Sequence, residues 1–392
     1  MLITLYGLIS LILALFILPL PLFSSFVHLT SRLFKRGIST STKLHLFRHL
    51  ASILLFSPVI ILLGPIDFLV FILFRLFRPN KPPIFICGTP RSGSTLLHRL
   101  LIKSSRELYG FTHLEWRFPS VTFQFLLSLT GLKRRLSRRN YWPQSQVQST
   151  VSKMHPNVMG DYEEDAILFE ERIAHHPYQN LHSPEPGTLD YFSLISEGDS
   201  GYFSVKAHLE RIYYFCVNSL SALKYPASRF VSKEVASNEK LTSLKNRFDG
   251  SKFIVITRHP DSYLSSLKPL LRLSTISKTG NSYFEESNEW WNSWYSWLVR
   301  QASEVTHFYR TNYSDINSRV LHVSFESLLR NPDSEMKRIF DFLGLPINPE
   351  FIETINSFQK SQSSRKRGYD YELINYSKED YSEFLSIFYS KP

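Results

Sequence analysis

Apolar and polar positions divide this chain into an N-terminal part and a longer remainder with different rhythms. From Met1 to Leu29 no Asp, Glu, Lys or Arg interrupts, and a second apolar run from Ala51 to Phe74 is broken only by Asp67 and by Gly64-Pro65. Either run is long enough to cross a hydrocarbon core. Between them lie Arg32, Lys35, Arg36, Lys43 and Arg48 with no acidic residue among them, and by the positive-inside bias such a loop is cytosolic. The pattern predicts N-terminal transmembrane helices, a hairpin anchor over residues 1–80, with the rest of the chain on the lumenal or exterior side. Met1-Leu2-Ile3-Thr4-Leu5 lacks the basic start of a cleaved signal peptide, so the anchor is expected to be retained. A single span followed by a segment broken at Gly64-Pro65-Ile66-Asp67 is the rival arrangement.

Beyond the stiff, polar break Arg78-Pro79-Asn80-Lys81-Pro82-Pro83 the rhythm changes. Short apolar runs, "IFIC" at 84–87, "RFVSK" at 229–233, "KFIVIT" at 252–257 and "RVLHVSFE" at 319–326, read as strands. They alternate with helical patterns such as "STLLHRLLIKS" and "SEMKRIFDFLGL". That alternation predicts an α/β fold over residues 81–392, a parallel sheet covered by helices on both faces. Residues 104–225 are less regular and rich in aromatic, His and Pro residues, as insertions that line a pocket often are. Trp290, Trp294 and Trp297 fall on one helical face, a stripe more in keeping with core than with a binding site.

Composition narrows the classes. The chain has 392 residues, 43% of them hydrophobic and 20% charged, enough apolar content for a sizeable core. Its formal charge of +11 favours anionic partners, but no nucleic-acid-binding motif accompanies it. Two cysteines, Cys87 and Cys216, exclude a disulfide framework, and Cys87 at the end of an apolar strand reads as a buried small residue. No His/Cys/Asp cluster has metal-ligand spacing, so no metal is expected. Asn-Tyr-Ser triplets at Asn312 and Asn375 fit the glycosylation acceptor pattern, usable only on a lumenal side.

The chemistry concentrates in two places. The first is Gly88-Thr89-Pro90-Arg91-Ser92-Gly93-Ser94-Thr95, which follows a strand and opens a helix. Glycines let backbone approach a ligand, and N–H groups at a helix start point at an anion. Arg91 adds a cation; Ser92, Ser94 and Thr95 add hydroxyls. Ser94 stands where a triphosphate-binding loop carries its lysine. The second is "FIVITRHPDSYLSS", where Arg258 leaves a buried strand, Pro260 suits a first helical turn, and Ser266 follows on that helix.

Taken together these segments resemble the sulfotransferase superfamily, in the branch with a "PRSG" loop. The likeness covers about residues 81–370 and includes the late segment "VLHVSFESLLRNPDSEMKRIFDFLGLP". The resemblance implies binding of 3′-phosphoadenosine 5′-phosphosulfate (PAPS): Arg91, Ser92, Gly93, Ser94 and Thr95 at the 5′ phosphosulfate side, Arg258 and Ser266 at the 3′ phosphate. It implies a membrane-anchored enzyme of the Golgi or another endomembrane that moves a sulfuryl group to a hydroxyl or amine of a glycan, lipid or protein.

The proton acceptor is less plain. The soluble branch has Lys-Thr-His before the second loop, whereas this chain has Lys233-Glu234-Val235. Lys233 is expected to stabilise the leaving oxygen. The branch with the "PRSG" loop often uses a Glu soon after its first helix, so the resemblance implies Glu115 in "YGFTHLEWRFP" as the base, and apolar neighbours Trp116 and Phe118 would raise its pKa. Glu163 and Glu164 come next, since related members show an acidic pair there; His113 and Glu234 follow. Arg365, Lys366 and Arg367 resemble the family's late cofactor contacts. A P-loop kinase using a nucleoside triphosphate and a catalytically silent PAPS-binding homologue are the alternatives.

Overall fold

In a computed structural model the described residues are 30–75, 81–118, 120–140, 150–152, 154–155, 158–167, 181, 184, 229–233, 235, 238–282, 288–313, 318–363 and 374–390. Among them the sheet has five strands: β1 (Ile84–Gly88), β2 (Leu108–Tyr109), β3 (Arg229–Lys233), β4 (Lys252–Thr257) and β5 (Val320–Ser324). They lie in the order β2-β3-β1-β4-β5, and every pairing is parallel. The expected strand positions and the α/β class are therefore found.

Alternation along β1 and β4 explains why helices must cover both faces. Phe85, Cys87, Phe253 and Val255 face one core, while Ile84, Ile86, Ile254 and Ile256 face the other. Both sets are buried, and a parallel sheet with two apolar faces needs cover on each. The first face packs against α7 (Pro260–Thr279), α8 (Asn288–Asn312) and α12 (Ser382–Phe388). Trp290, Trp294 and Trp297 of α8 are buried in this core, as their spacing suggests. The second face takes α2 (Ser94–Ser104), α10 (Pro332–Leu343) and α11 (Pro349–Ser363), through Leu97, Leu101, Ile339, Phe340 and Phe351. Cys87 is buried, and burial pushes its thiol up, out of the reactive range.

The membrane expectation needs correction. Met1–Leu29 lies outside the described residues. The second run falls within one continuous helix, α1 (Thr40–Arg75), which passes through Gly64-Pro65 without a break. Among the described residues no helix is long and apolar enough to cross a membrane. α1 packs on α7 and on α4 (Val121–Leu129). Its Asp67 is buried and accepts hydrogen bonds from the Thr122 amide at 2.8 Å and the Thr122 hydroxyl at 2.6 Å. A carboxylate there satisfies an otherwise orphaned N–H in the first turn of α4 and opposes the positive end of its dipole. The polar residue that interrupted the apolar run is thus a tie between α1 and the α/β unit. Of the two glycosylation triplets, Asn375 is exposed, whereas the Asn312 amide donates to the Phe308 carbonyl and its oxygen accepts from Lys245.

Asp67→Ala should leave the partly buried Thr122 donors without their carboxylate partner. We expect a loss of about 1–3 kcal/mol, read as a lowered urea midpoint, with Asp67→Asn intermediate because its amide oxygen still accepts.

Candidate active site

The loop from Gly88 to Ser94 owes its shape to close approaches that only glycine permits. Gly88 has φ +148°, and a Cβ on it would fall 1.9 Å from the Ile256 carbonyl oxygen of the neighbouring strand. Gly93 has φ +88°, and a Cβ there would fall 2.2 Å from the Phe325 ring. Arg91 between them is also left-handed, with φ 63°, a conformation that costs a non-glycine residue about 1 kcal/mol or more and concentrates at functional sites. Asn238 fastens the loop's first residue, donating from Nδ2 to the Gly88 carbonyl at 3.0 Å. α2 then begins at Ser94 with Gly93 as N-cap and no side-chain cap. Its first-turn amides are therefore not closed off by a capping side chain. Among the described residues the Thr89 and Ser92 hydroxyls, both buried, find no hydrogen-bond partner. Buried donors without partners carry a cost, and donors gathered around a helix N-terminus fit an anionic ligand.

The second loop meets the first directly. Arg91 donates from Nε to the Ser266 hydroxyl at 3.1 Å and from Nη2 to the Met154 carbonyl at 3.3 Å. Arg258, at the carboxyl end of β4, donates from Nη1 to the Arg91 carbonyl at 3.3 Å. Its guanidinium lies 5.0 Å from the centre of the Phe325 ring, within cation–π range. Phe325 thus touches both loops: it fills the space left by Gly93 and backs Arg258. Glu326 beside it accepts from the His259 amide at 3.2 Å and from the Ser324 hydroxyl at 2.9 Å, holding the turn that carries Arg258. Pro260 occupies the first turn of α7, where its missing N–H costs nothing.

Lys233 ends β3 one strand away from the loop and is buried. Its ammonium donates to Thr95 Oγ1 at 2.7 Å and Glu163 Oε1 at 2.8 Å, and lies 3.2 Å from Glu164 Oε2. Burial works to lower its pKa, but the two carboxylates override this and raise it. For Glu163 burial works upward, and Lys233 with His155 and Arg99 drives the carboxyl well below the usual range. The pair is therefore charged at neutral pH. His155 Nε2 sits 3.7 Å from Glu163 Oε2; burial is the main reason its pKa falls to about 4, leaving a neutral ring. The Glu163 carbonyl accepts from the Trp116 indole at 3.1 Å, which fixes this segment against the core.

Sequence reasoning therefore named a set that the fold assembles: Arg91, Thr95, Lys233, Arg258, Ser266, Glu163 and Glu164 are joined by the contacts above, and Ser92, Gly93 and Ser94 lie on the same loop between Arg91 and Thr95. Glu115 is placed differently. Its Oε2 accepts the Thr112 amide at 2.9 Å, closing a capping box at α3 (His113–Arg117), and its Oε1 lies 3.2 Å from Lys133. The acid three residues after a threonine is itself a capping-box signature, a signal available in "THLE". His113 is the first residue of that helix and is buried. Glu234, Arg365, Lys366 and Arg367 lie outside the described residues. His155, Asn238, Phe325 and Glu326 escaped the sequence reading, because each matters through a partner distant in sequence.

The "Sulfotransferase family" profile matches residues 82–349. No curated protein sequence matches the chain. Among the solved structures similar to it are two sulfotransferases. Sulfotransferase STF9 from Mycobacterium avium is 14% identical, with 94% of this chain and 96% of that chain covered and a TM-score of 0.62. Sulfotransferase STF1 from Mycobacterium tuberculosis H37Rv is also 14% identical, with 93% and 91% covered and a TM-score of 0.59. At that identity the likeness is one of fold.

Lys233→Met should leave the buried Glu163 with only Arg99, at 3.9 Å, as a charged partner and cost up to about 3–5 kcal/mol, with the Lys233→Met/Glu163→Gln pair recovering most of it in urea titrations. Because the folded-state pKa of Glu163 lies below its ordinary value of 4.5, its stabilisation is complete above that value and is lost as pH falls below it. The double variant should lack this part of the acid destabilisation.

Proposed function

Because the chain belongs to the sulfotransferase family, we propose that it moves a sulfuryl group from PAPS to an acceptor hydroxyl or amine. The observation that carries the reading is the Arg91–Ser266 hydrogen bond of 3.1 Å, which joins two anion-binding loops beside the partnerless Thr89 and Ser92 hydroxyls. Arg91, Ser92, Ser94, Thr95 and the amides after Gly93 would hold the 5′ side, and Arg258 with Ser266 the 3′ phosphate. When bound, PAPS supplies the sulfuryl group and departs as adenosine 3′,5′-bisphosphate. The acceptor is a glycan, a lipid or a protein, reached at a membrane.

For the proton acceptor we propose Glu164 in place of Glu115. The Glu115 carboxylate holds the start of α3, and Glu163 is a poor base because its pKa is driven down. Glu164 lies against the same ammonium, at the longest of the three distances, and keeps 16% of its side chain exposed where Glu163 keeps 1%. An ammonium has three donors, and here Thr95, Glu163 and Glu164 take them all. Turning Glu164 toward an acceptor hydroxyl releases one donor of Lys233 toward the charge that develops as the S–O bond to the phosphate breaks. The proton leaves the acceptor oxygen for Glu164, and the electron pair of the broken bond stays with the bisphosphate. Lys233 thereby couples acceptor activation to leaving-group stabilisation.

Calorimetry should show binding of adenosine 3′,5′-bisphosphate without metal and none of Mg-ATP; the reverse result would replace this reading with the kinase one. Glu164→Gln should lower turnover of labelled PAPS at least a hundredfold with bisphosphate affinity unchanged. Glu115→Gln should act chiefly on stability, and a turnover loss confined to that variant would return the role to Glu115.

A further inference from the structure

α1 is apolar on both its faces, and only one of them is covered. Its inward face carries Thr42, Leu46, Leu50 and the tied Asp67, all buried. Its outward face carries Leu44, Phe47, Leu55, Leu62, Ile66 and Leu69. These positions recur at the 3.6-residue period of a helix, so they form one stripe rather than scattered apolar surface. Leu55 and Leu62 are 71% and 75% exposed. The adjoining α4 and α5 (Leu132–Ser137) continue the theme, with Phe125, Leu126, Leu129 and Leu132 exposed at their junction. An apolar surface of this extent marks an interaction site.

The charges around it select the partner. No Asp or Glu occurs from Met1 to Ile66, nor between Glu115 and Asp161. Lys35, Arg36 and Arg48 are exposed beside the α1 stripe in sequence, and Arg134, Arg135, Arg138 and Arg139 are exposed on and just after α5. Aliphatic and aromatic side chains edged by arginine and lysine, with no acid among them, complement an anionic lipid surface. The run Met1–Leu29, without a charge, leads into the same region in sequence.

We propose that α1, α4 and α5 form a platform that lies on an anionic bilayer, with the α1 stripe and the α4–α5 junction sunk into the headgroup–acyl boundary. α1 would lie along the surface rather than cross it. Its inward face is pinned by Asp67 to Thr122 and packed on α4 and α7, so lipid meets only the other side. At 36 residues it is about 54 Å long, well beyond a hydrocarbon core of about 30 Å. The inference is independent of the reaction proposed above.

The test uses the full chain in a Cys216→Ser background, with an environment-sensitive fluorophore on Leu62→Cys, Leu129→Cys or, as control, the exposed Lys337→Cys of α10. Vesicles carry phosphatidylserine or phosphatidylcholine alone, and nitroxide lipids quench either near the headgroups or deep in the chains. Shallow nitroxide should quench the Leu62 and Leu129 labels and spare the Lys337 label. Replacing Arg134, Arg135, Arg138 and Arg139 by glutamine should remove at least half of the Leu129 quenching on phosphatidylserine vesicles, with melting temperature unchanged. Deep-only quenching at Leu62 with Leu129 dark would make α1 a crossing helix and overturn the platform. Darkness at both would assign the face to another protein surface, and equal quenching on uncharged vesicles would overturn the anionic preference.

Discussion

The buried ammonium of Lys233 is the constraint around which the site is organised. A charge at the end of a central strand is costly unless it is paired and its donors are used. Glu163, Glu164 and Thr95 meet that requirement, and each comes from a different part of the chain than β3. The ammonium therefore brings together the strand, the segment around Asp161–Ala166 and the first residues of α2. Trp116 and His155 gather behind Glu163. Moving Glu163 or Thr95 would leave a buried charge or donor without its partner.

The loop between β1 and α2 is held from its other side by packing. The Phe325 ring can sit against Gly93 only because glycine has no side chain, and the same ring backs Arg258. One aromatic side chain at the start of α9 (Phe325–Arg330) thus touches both loops, which also meet through the Arg91–Ser266 contact. The left-handed backbone at Arg91 is tolerated because Asn238, Ser266 and Met154 fix its surroundings.

Much of this was legible along the chain. Short apolar runs gave the strand positions, since a strand buried on both faces is apolar over several successive residues. The glycine pattern and Arg258 marked the loops, because backbone approach and bidentate anion binding demand particular residue types. One reading went astray because a local pattern was assigned the wrong environment. The apolar run of α1 was read against lipid on all sides, whereas one face packs on protein through Asp67. For Glu115 the structure adds two contacts that its apolar neighbours do not announce: its carboxylate caps a helix and meets Lys133.

By itself, then, the sequence determined the class of fold, the two loops at the ends of β1 and β4, and Lys233 as a residue of interest, because each depends on residue type and short spacing. Only the tertiary structure decided which carboxylates meet Lys233, which aromatic ring spaces the two loops and which face of α1 is left outside. Those outcomes depend on contacts between residues tens to hundreds of positions apart. No local pattern encodes them, since the free energy that selects each partner exists only once the sheet has brought the strand ends together.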